Sequence, residues 1–284
     1  MIKTYDKLIP VDEFYSLFQK EGIIVFDCRF YLNDPSLGRK EYLQGHIPGA
    51  IYMDTNHDLS SFVIKGVTGR HPLPHPEILT STLKSGGLNK DNLVIAYDQS
   101  NGVYASRLWW LLRWLGHNNT AVLDGGIKAW NAANLPIDNQ WPIPVAGNFE
   151  SHLQSGLTVR MEDINGINGS LIDSREYKRY IGEYEPIDPV AGHIPGAICI
   201  PYMENTNEDG KWKSAEDLKQ RFSDLESEKV DSPVFYCGSG VTACHNILAY
   251  KIATGKESRL YPGSWSEWIN FHPNPKEWRV KSEK

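Results

Sequence analysis

A thiol closes an apolar run in the stretch VFYCGSGVTACHNI, residues 234–247, and three small residues and a helix-like pattern follow it. Gly238, Ser239 and Gly240 let the main chain wrap closely around whatever sits at Cys237. Successive N–H groups of such a loop, continuing through Val241 and Thr242, can turn inward as an anion nest. The start of the following helix adds positive potential. Both effects favour a thiolate, so Cys237 is the candidate nucleophile of a covalent mechanism. Cys28, Cys199 and Cys244 lie in apolar or helical settings and read as packing residues.

The elements that must position this loop occur twice. FDCRFY (26–31) is echoed by IDSREY (172–177), and GHIPGA occurs at 45–50 and again at 192–197. VIAYDQSNGVYAS (94–106) aligns with PVFYCGSGVTAC, and LDGGIKAW (123–130) aligns with LYPGSWSEW (260–268). Four landmarks in one order mark a tandem duplication. The proline- and glycine-bearing stretch between the copies reads as an extended connector. The expected organisation is a first domain over residues 1–140, a linker over 141–155 and a second domain over 156–284.

Each half reads as α/β. GIIVFDCR, NLVIAYD and TAVLDGG are short runs rich in Val and Ile that end at polar or glycine residues, as buried parallel strands do. A helix over 106–115 lies between the last two, which implies a parallel crossover. The second half repeats the order with SLIDSR, PVFYCG, a helix over 241–253 and SRLYPG. Functional atoms in such sheets gather at the carboxyl ends of strands, where Cys237 and its counterpart Asp98 both fall.

Composition narrows the class. The 284 residues are 40% hydrophobic and 11% aromatic, with a formal charge of −6. That charge argues against general nucleic-acid or anionic-membrane binding, which needs a basic face. LWWLLRWLG (108–116) is too short to span a bilayer and contains Arg113. The start, MIKTYDKLIPVDEF, lacks the apolar core of a signal peptide. Four scattered cysteines without a CxxC pair point to neither a disulfide scaffold nor zinc, and a reducing cytoplasm is the expected setting.

A duplicated chain supplies its own control: shared features are frame, and features found in one copy are candidates for chemistry. The Asp27/Arg29 and Asp173/Arg175 pairs, and His46 and His193 in the two GHIPGA turns, are shared and read as structural. Cys237 is unshared, since Asp98 holds its place in the first copy. Arg179 is unshared too, with Asn33 as its counterpart. It follows the IDSR strand, whose end opens on the same sheet edge as Cys237, where a guanidinium could grip an anionic substrate by two parallel hydrogen bonds.

The tandem frame with cysteine only in the second loop resembles the two-domain rhodanese-type sulfurtransferases over nearly the whole chain. CGSGVTA is similar to the loop of their 3-mercaptopyruvate-using members, whereas thiosulfate-using members typically carry arginine and lysine after the cysteine. The resemblance implies tandem rhodanese-like α/β domains, each a mainly parallel sheet flanked by helices. It implies that Cys237 accepts sulfur, that Gly238, Gly240, Val241 and Thr242 line the substrate loop, and that Arg179 binds the donor's carboxylate. It further implies a proton relay from Ser239 to a histidine of the first domain, matched by His71 in GRHPLP. Two positions depart from the pattern. The family's second substrate arginine is replaced by Ile187 or Asp188 in EYEPIDP, and its relay acid by Asn56, with Asp54 and Asp58 nearby.

The expected activity moves a sulfane sulfur from a small anionic donor, 3-mercaptopyruvate or alternatively thiosulfate, through a Cys237 persulfide. A thiol, cyanide or a thioredoxin-like protein accepts it, with no metal or organic cofactor required. A cysteine-dependent phosphatase or arsenate reductase needs arginine six residues after the cysteine, where Ala243 stands. A sulfur carrier without turnover is the non-enzymatic rival.

Overall fold

Short runs of Val, Ile and Leu that end at an acid, a tyrosine or a cysteine build two parallel sheets. In the computed structural model, which describes residues 5–18, 20–167, 171–227 and 232–272, the first sheet contains β1 (Leu8–Ile9), β2 (Ile23–Asp27), β3 (Ile51–Tyr52), β4 (Leu93–Tyr97) and β5 (Thr120–Leu123). Their order across the sheet is β1-β5-β4-β2-β3, with every pairing parallel. The second contains β6 (Leu171–Asp173), β7 (Ala197–Cys199), β8 (Val234–Tyr236) and β9 (Arg259–Leu260) in the order β7-β6-β8-β9, again parallel throughout. β8, which delivers Cys237, is therefore an interior strand and is buried along its length.

Both sheets carry the crossover helices that the strand–helix–strand order demands. They span Val103–Trp114 and Thr242–Thr254, within a few residues of expectation. Apart from Tyr104, every residue of the first is buried, and the Arg113 guanidinium lies 5.1 Å from the centroid of the Trp109 ring. β1, β3 and β7, edge strands of two or three residues, were not foreseen. Among the described residues no helix is long and apolar enough to cross a membrane.

The chain forms two compact units. Among the described residues, the first takes those up to Ser61, Leu73–Ser155 and Thr206–Trp212; the second takes Phe62–Pro72 and those of Gly156–Asn205 and from Lys213 onward. Residues 62–72, which sequence order assigns to the first half, thus pack with the second. Local contacts explain this: Arg70 N–H donates to Ser266 Oγ at 3.0 Å, and Asn270 Nδ2 donates to the Thr68 carbonyl at 3.1 Å. Residues 141–155 are largely extended and follow the first unit, with Gly147 N–H on the Lys84 carbonyl and Phe149 N–H on that of Leu88.

The shared features form one brace, built twice. In the first unit the Arg29 guanidinium grips Asp27 and donates to the Gly45 carbonyl at 2.8 Å. Tyr97 donates to Asp27 at 2.6 Å and accepts from Ile47 N–H. In the second, Arg175 grips Asp173 and donates to the Gly192 carbonyl at 2.5 Å, while Tyr236 accepts from Ile194 N–H at 3.1 Å. His46 stacks on Tyr42 with ring centroids 4.0 Å apart, and His193 on Tyr180 at 3.9 Å; each ring nitrogen Nδ1 meets the carbonyl of that tyrosine. These buried pairs tie the start of each GHIPGA turn to the centre of its sheet.

Candidate active site

The two copies of the strand-end loop differ in what fills them. In the first unit the Asp98 carboxylate occupies its own loop. Ser100 and Gly102 N–H groups donate to Oδ1 at 2.7 and 2.9 Å, and those of Tyr104 and Ala105 donate to Oδ2 at 2.7 and 2.9 Å. Four main-chain donors converging on one carboxylate identify this loop geometry as an anion cradle. The first copy fills it with its own carboxyl group. Burial nonetheless pushes the Asp98 carboxyl above its ordinary range, against the pull of these N–H groups.

In the second unit the same loop presents sulfur. Cys237 is 2% exposed, and Gly240 N–H donates to its Sγ at 3.1 Å. Cys237 N–H donates to Ser264 Oγ at 3.1 Å, and the Cys237 carbonyl accepts from Trp265 N–H at 2.9 Å. The first copy holds the Asp98 carbonyl in the same way through Ile127 N–H. Ser264 has a φ of 56°, a strained value for a non-glycine residue, and its hydroxyl also donates to the Tyr261 carbonyl. Nothing in the sequence reading singled it out, although a serine directly after the PG turn was the available signal.

Gly240 is required where it stands. Its φ is +78°, and a Cβ there would lie 2.4 Å from the Pro262 carbonyl oxygen. The left-handed conformation alone costs a non-glycine residue roughly 1–2 kcal/mol. Gly240→Ala is expected to lower Tm by roughly 5 °C and to slow turnover, because the N–H that holds Sγ moves with it. Thermal unfolding and a rate measurement check both.

Ser239 and His71 meet. Nδ1 of His71 lies 2.7 Å from Ser239 Oγ, and both side chains are buried. The 62–72 segment thus brings to the Cys237 loop a histidine distant in sequence. Asp54, Asn56 and Asp58 belong to the first unit. There Asp54 Oδ1 accepts the N–H groups of Asn56 and His57, and Asp58 Oδ2 accepts that of Asp54.

Arg179, on the short helix Tyr177–Tyr180, reaches the same loop within a ladder of alternating charge. The Asp173–Arg175 brace continues through Arg175 to Glu185 at 3.2 Å. Glu185 takes Arg179 through Nε and Nη2, and Arg179 Nη2 also meets Asp188 at 3.1 Å. The other Asp188 oxygen is paired with Arg70. A Cβ at position 238 would lie 2.7 Å from Arg70 Nη2 and 3.5 Å from Arg179 Nη2. The loop itself brings no cationic side chain, as expected, but two guanidinia stand against Gly238, and a side chain there would have to displace Arg70. Arg70 was missed by sequence reasoning. Burial pulls the Arg70 guanidinium below its ordinary range, and the neighbouring Cys237 acts in the opposite direction.

The remaining thiols lie elsewhere in the chain. Burial pushes Cys28 well above its ordinary range and Cys199 up to about 12, with Asp27 and Asp173 respectively adding to the effect. Cys244 is fully buried and donates to the Gly240 carbonyl at 3.3 Å. Among the described residues no group of three or more His, Cys, Asp and Glu could hold a metal ion.

The rhodanese-like domain model matches the chain twice, over residues 10–133 and 157–271. The chain belongs to the rhodanese-like family of sulfurtransferases. It is 45% identical to a Pseudomonas aeruginosa protein named "Probable 3-mercaptopyruvate sulfurtransferase", over 95% of this chain and 97% of that one. It is 33% identical to the thiosulfate sulfurtransferase of Bos taurus, over 90% and 88%. The solved 3-mercaptopyruvate sulfurtransferase of Leishmania major superposes with a TM-score of 0.84 at 28% identity, covering 97% of this chain and 77% of that one. The two α/β domains with their parallel sheets are accordingly tandem rhodanese-like domains.

Proposed function

We propose that this sulfurtransferase takes sulfur from 3-mercaptopyruvate through a persulfide on Cys237. The thiolate attacks the donor sulfur, an S–S bond forms and the C–S bond breaks, and the bonding pair leaves on the carbon of pyruvate enolate. That carbon must gain a proton, and the 2.7 Å Ser239–His71 contact stands ready to supply one beside Cys237. This contact is the observation that carries the donor assignment, because a leaving group such as sulfite needs no proton. Gly240 N–H, 3.1 Å from Sγ, holds negative sulfur in both half-reactions, as an oxyanion-hole donor would, and the loop through Thr242 lines the donor's approach. An acceptor then removes the outer sulfur and restores the thiolate; cyanide yields thiocyanate, and a small thiol or a thioredoxin-like protein serves equally. A reducing cytoplasm suits the four free cysteines.

Thiosulfate is the second reading, favoured by the two guanidinia beside Gly238, which suit a dianion. Side-by-side rates with cyanide as acceptor separate the two. A higher kcat/KM for 3-mercaptopyruvate is expected, and a clear preference for thiosulfate overturns the assignment. Arg179→Leu should raise the donor KM about tenfold or more while changing kcat little, since it removes a charge-assisted grip on the donor. An unchanged KM removes Arg179 from the site.

A further inference from the structure

We propose that Asp188 sets donor selectivity by neutralising the guanidinium pair beside Gly238, so that the site favours a singly charged donor over a dianion. The proposal rests on the reading that Arg70 and Arg179 receive the donor's anionic group. The Asp188 side chain is 2% exposed, with one oxygen on Arg70 and the other 3.1 Å from Arg179 Nη2. That is the bidentate seat a donor anion would take between two arginines. Asp188 also stands at the Cys237 loop: its Oδ2 would lie 3.7 Å from a Cβ at position 238, close to both guanidinia.

Asp173 pairs with Arg175, Glu185 with Arg179 and Asp188 with Arg70, so the six groups sum to zero. A donor arriving beside a Cys237 thiolate then meets directional hydrogen-bond donors without a net positive field. Among the described residues Arg70 Nε meets no hydrogen-bond partner, so Asp188 does not use all the donors of this guanidinium. A monoanion can be bound by such donors. In a neutral ladder a dianion gains no attraction from its second charge, pays more to leave water, and competes with Asp188 for the same guanidinium edges. Without Asp188 the ladder would carry one net positive charge. At this range and partial burial, one charge is worth about a tenfold change in the relative affinity of two anions that differ by one charge. Glu185 holds Asp188 in place by accepting its N–H at 3.1 Å while gripping Arg179.

The test compares Asp188→Asn and Asp188→Glu with the unaltered enzyme, using 3-mercaptopyruvate and thiosulfate with cyanide as acceptor. In the asparagine variant the ratio of kcat/KM for thiosulfate to that for 3-mercaptopyruvate should rise about tenfold, chiefly through a lower thiosulfate KM and most at low ionic strength. The glutamate variant should stay within about twofold of the original ratio, since the charge remains. A merely structural role would lower both activities together and leave the ratio unmoved, which overturns the proposal. Calorimetric binding of thiosulfate and pyruvate to the Cys237→Ser protein, with and without Asp188→Asn, gives a reading independent of turnover. The dianion should gain affinity relative to the monoanion, and equal changes in both overturn the idea. An unaltered enzyme that turned over neither donor would remove the proposed function, whereas this binding comparison would still judge Asp188.

Discussion

Replacing Cys237 by serine will abolish sulfur transfer from every donor and leave the fold intact. The loop is secured by the main chain of residue 237, whose N–H bonds Ser264 Oγ and whose carbonyl accepts from Trp265, and serine keeps both. A hydroxyl also fits beside Gly240 N–H, so the cradle survives. The hydroxyl cannot carry sulfane sulfur, because no persulfide can form on oxygen. Turnover should fall by about four orders of magnitude or more, as expected when a covalent nucleophile is removed. Tm should stay within about 3 °C of the original. Thiocyanate formation and thermal unfolding read the two outcomes, and transfer near the original rate would refute the covalent step.

Replacing Ser239 by alanine should divide the donors. With 3-mercaptopyruvate, C–S cleavage leaves charge on carbon, and loss of the proton supplied through Ser239 and His71 should lower kcat about a hundredfold. With thiosulfate, sulfite departs without a proton, and the change should stay within about threefold because the main-chain cradle is untouched. His71→Gln should follow the same pattern, since the two side chains act through one 2.7 Å contact. Equal losses with both donors would mean that Ser239 shapes the loop and moves no proton.

Much of the fold was legible in the sequence because duplication turns one chain into two aligned examples. β2, β4, β5, β6, β8 and β9 fall in the runs that the composition picks out, and both crossover helices start within a few residues of expectation. The Cys237 loop stood out because Asp98 and Cys237 occupy one frame with different side chains. The carboxylate filling its own loop was not legible, since it depends on four N–H groups converging in space. Arg70 was hidden for a similar reason. It reaches Asp188 across 118 positions of chain, and no local pattern reports which segments pack together. Ile187 or Asp188 looked like a gap where a second arginine should stand. In the fold Asp188 is half of an ion pair, with the guanidinium brought in from a distant segment. Glu185 and Ser264 act on other residues of the site, and such roles carry no sequence signature of their own.

The central claim is that one sulfur atom, held at the Gly240 amide, carries the transferred sulfur. Mixing the enzyme with a single equivalent of donor, quenching rapidly and mapping the peptides by mass should find one added sulfur on Cys237. Adding cyanide should discharge it at the rate at which thiocyanate appears. Added sulfur on Cys28, Cys199 or Cys244 in place of Cys237, or thiocyanate formed while Cys237 never carries it, would contradict the account.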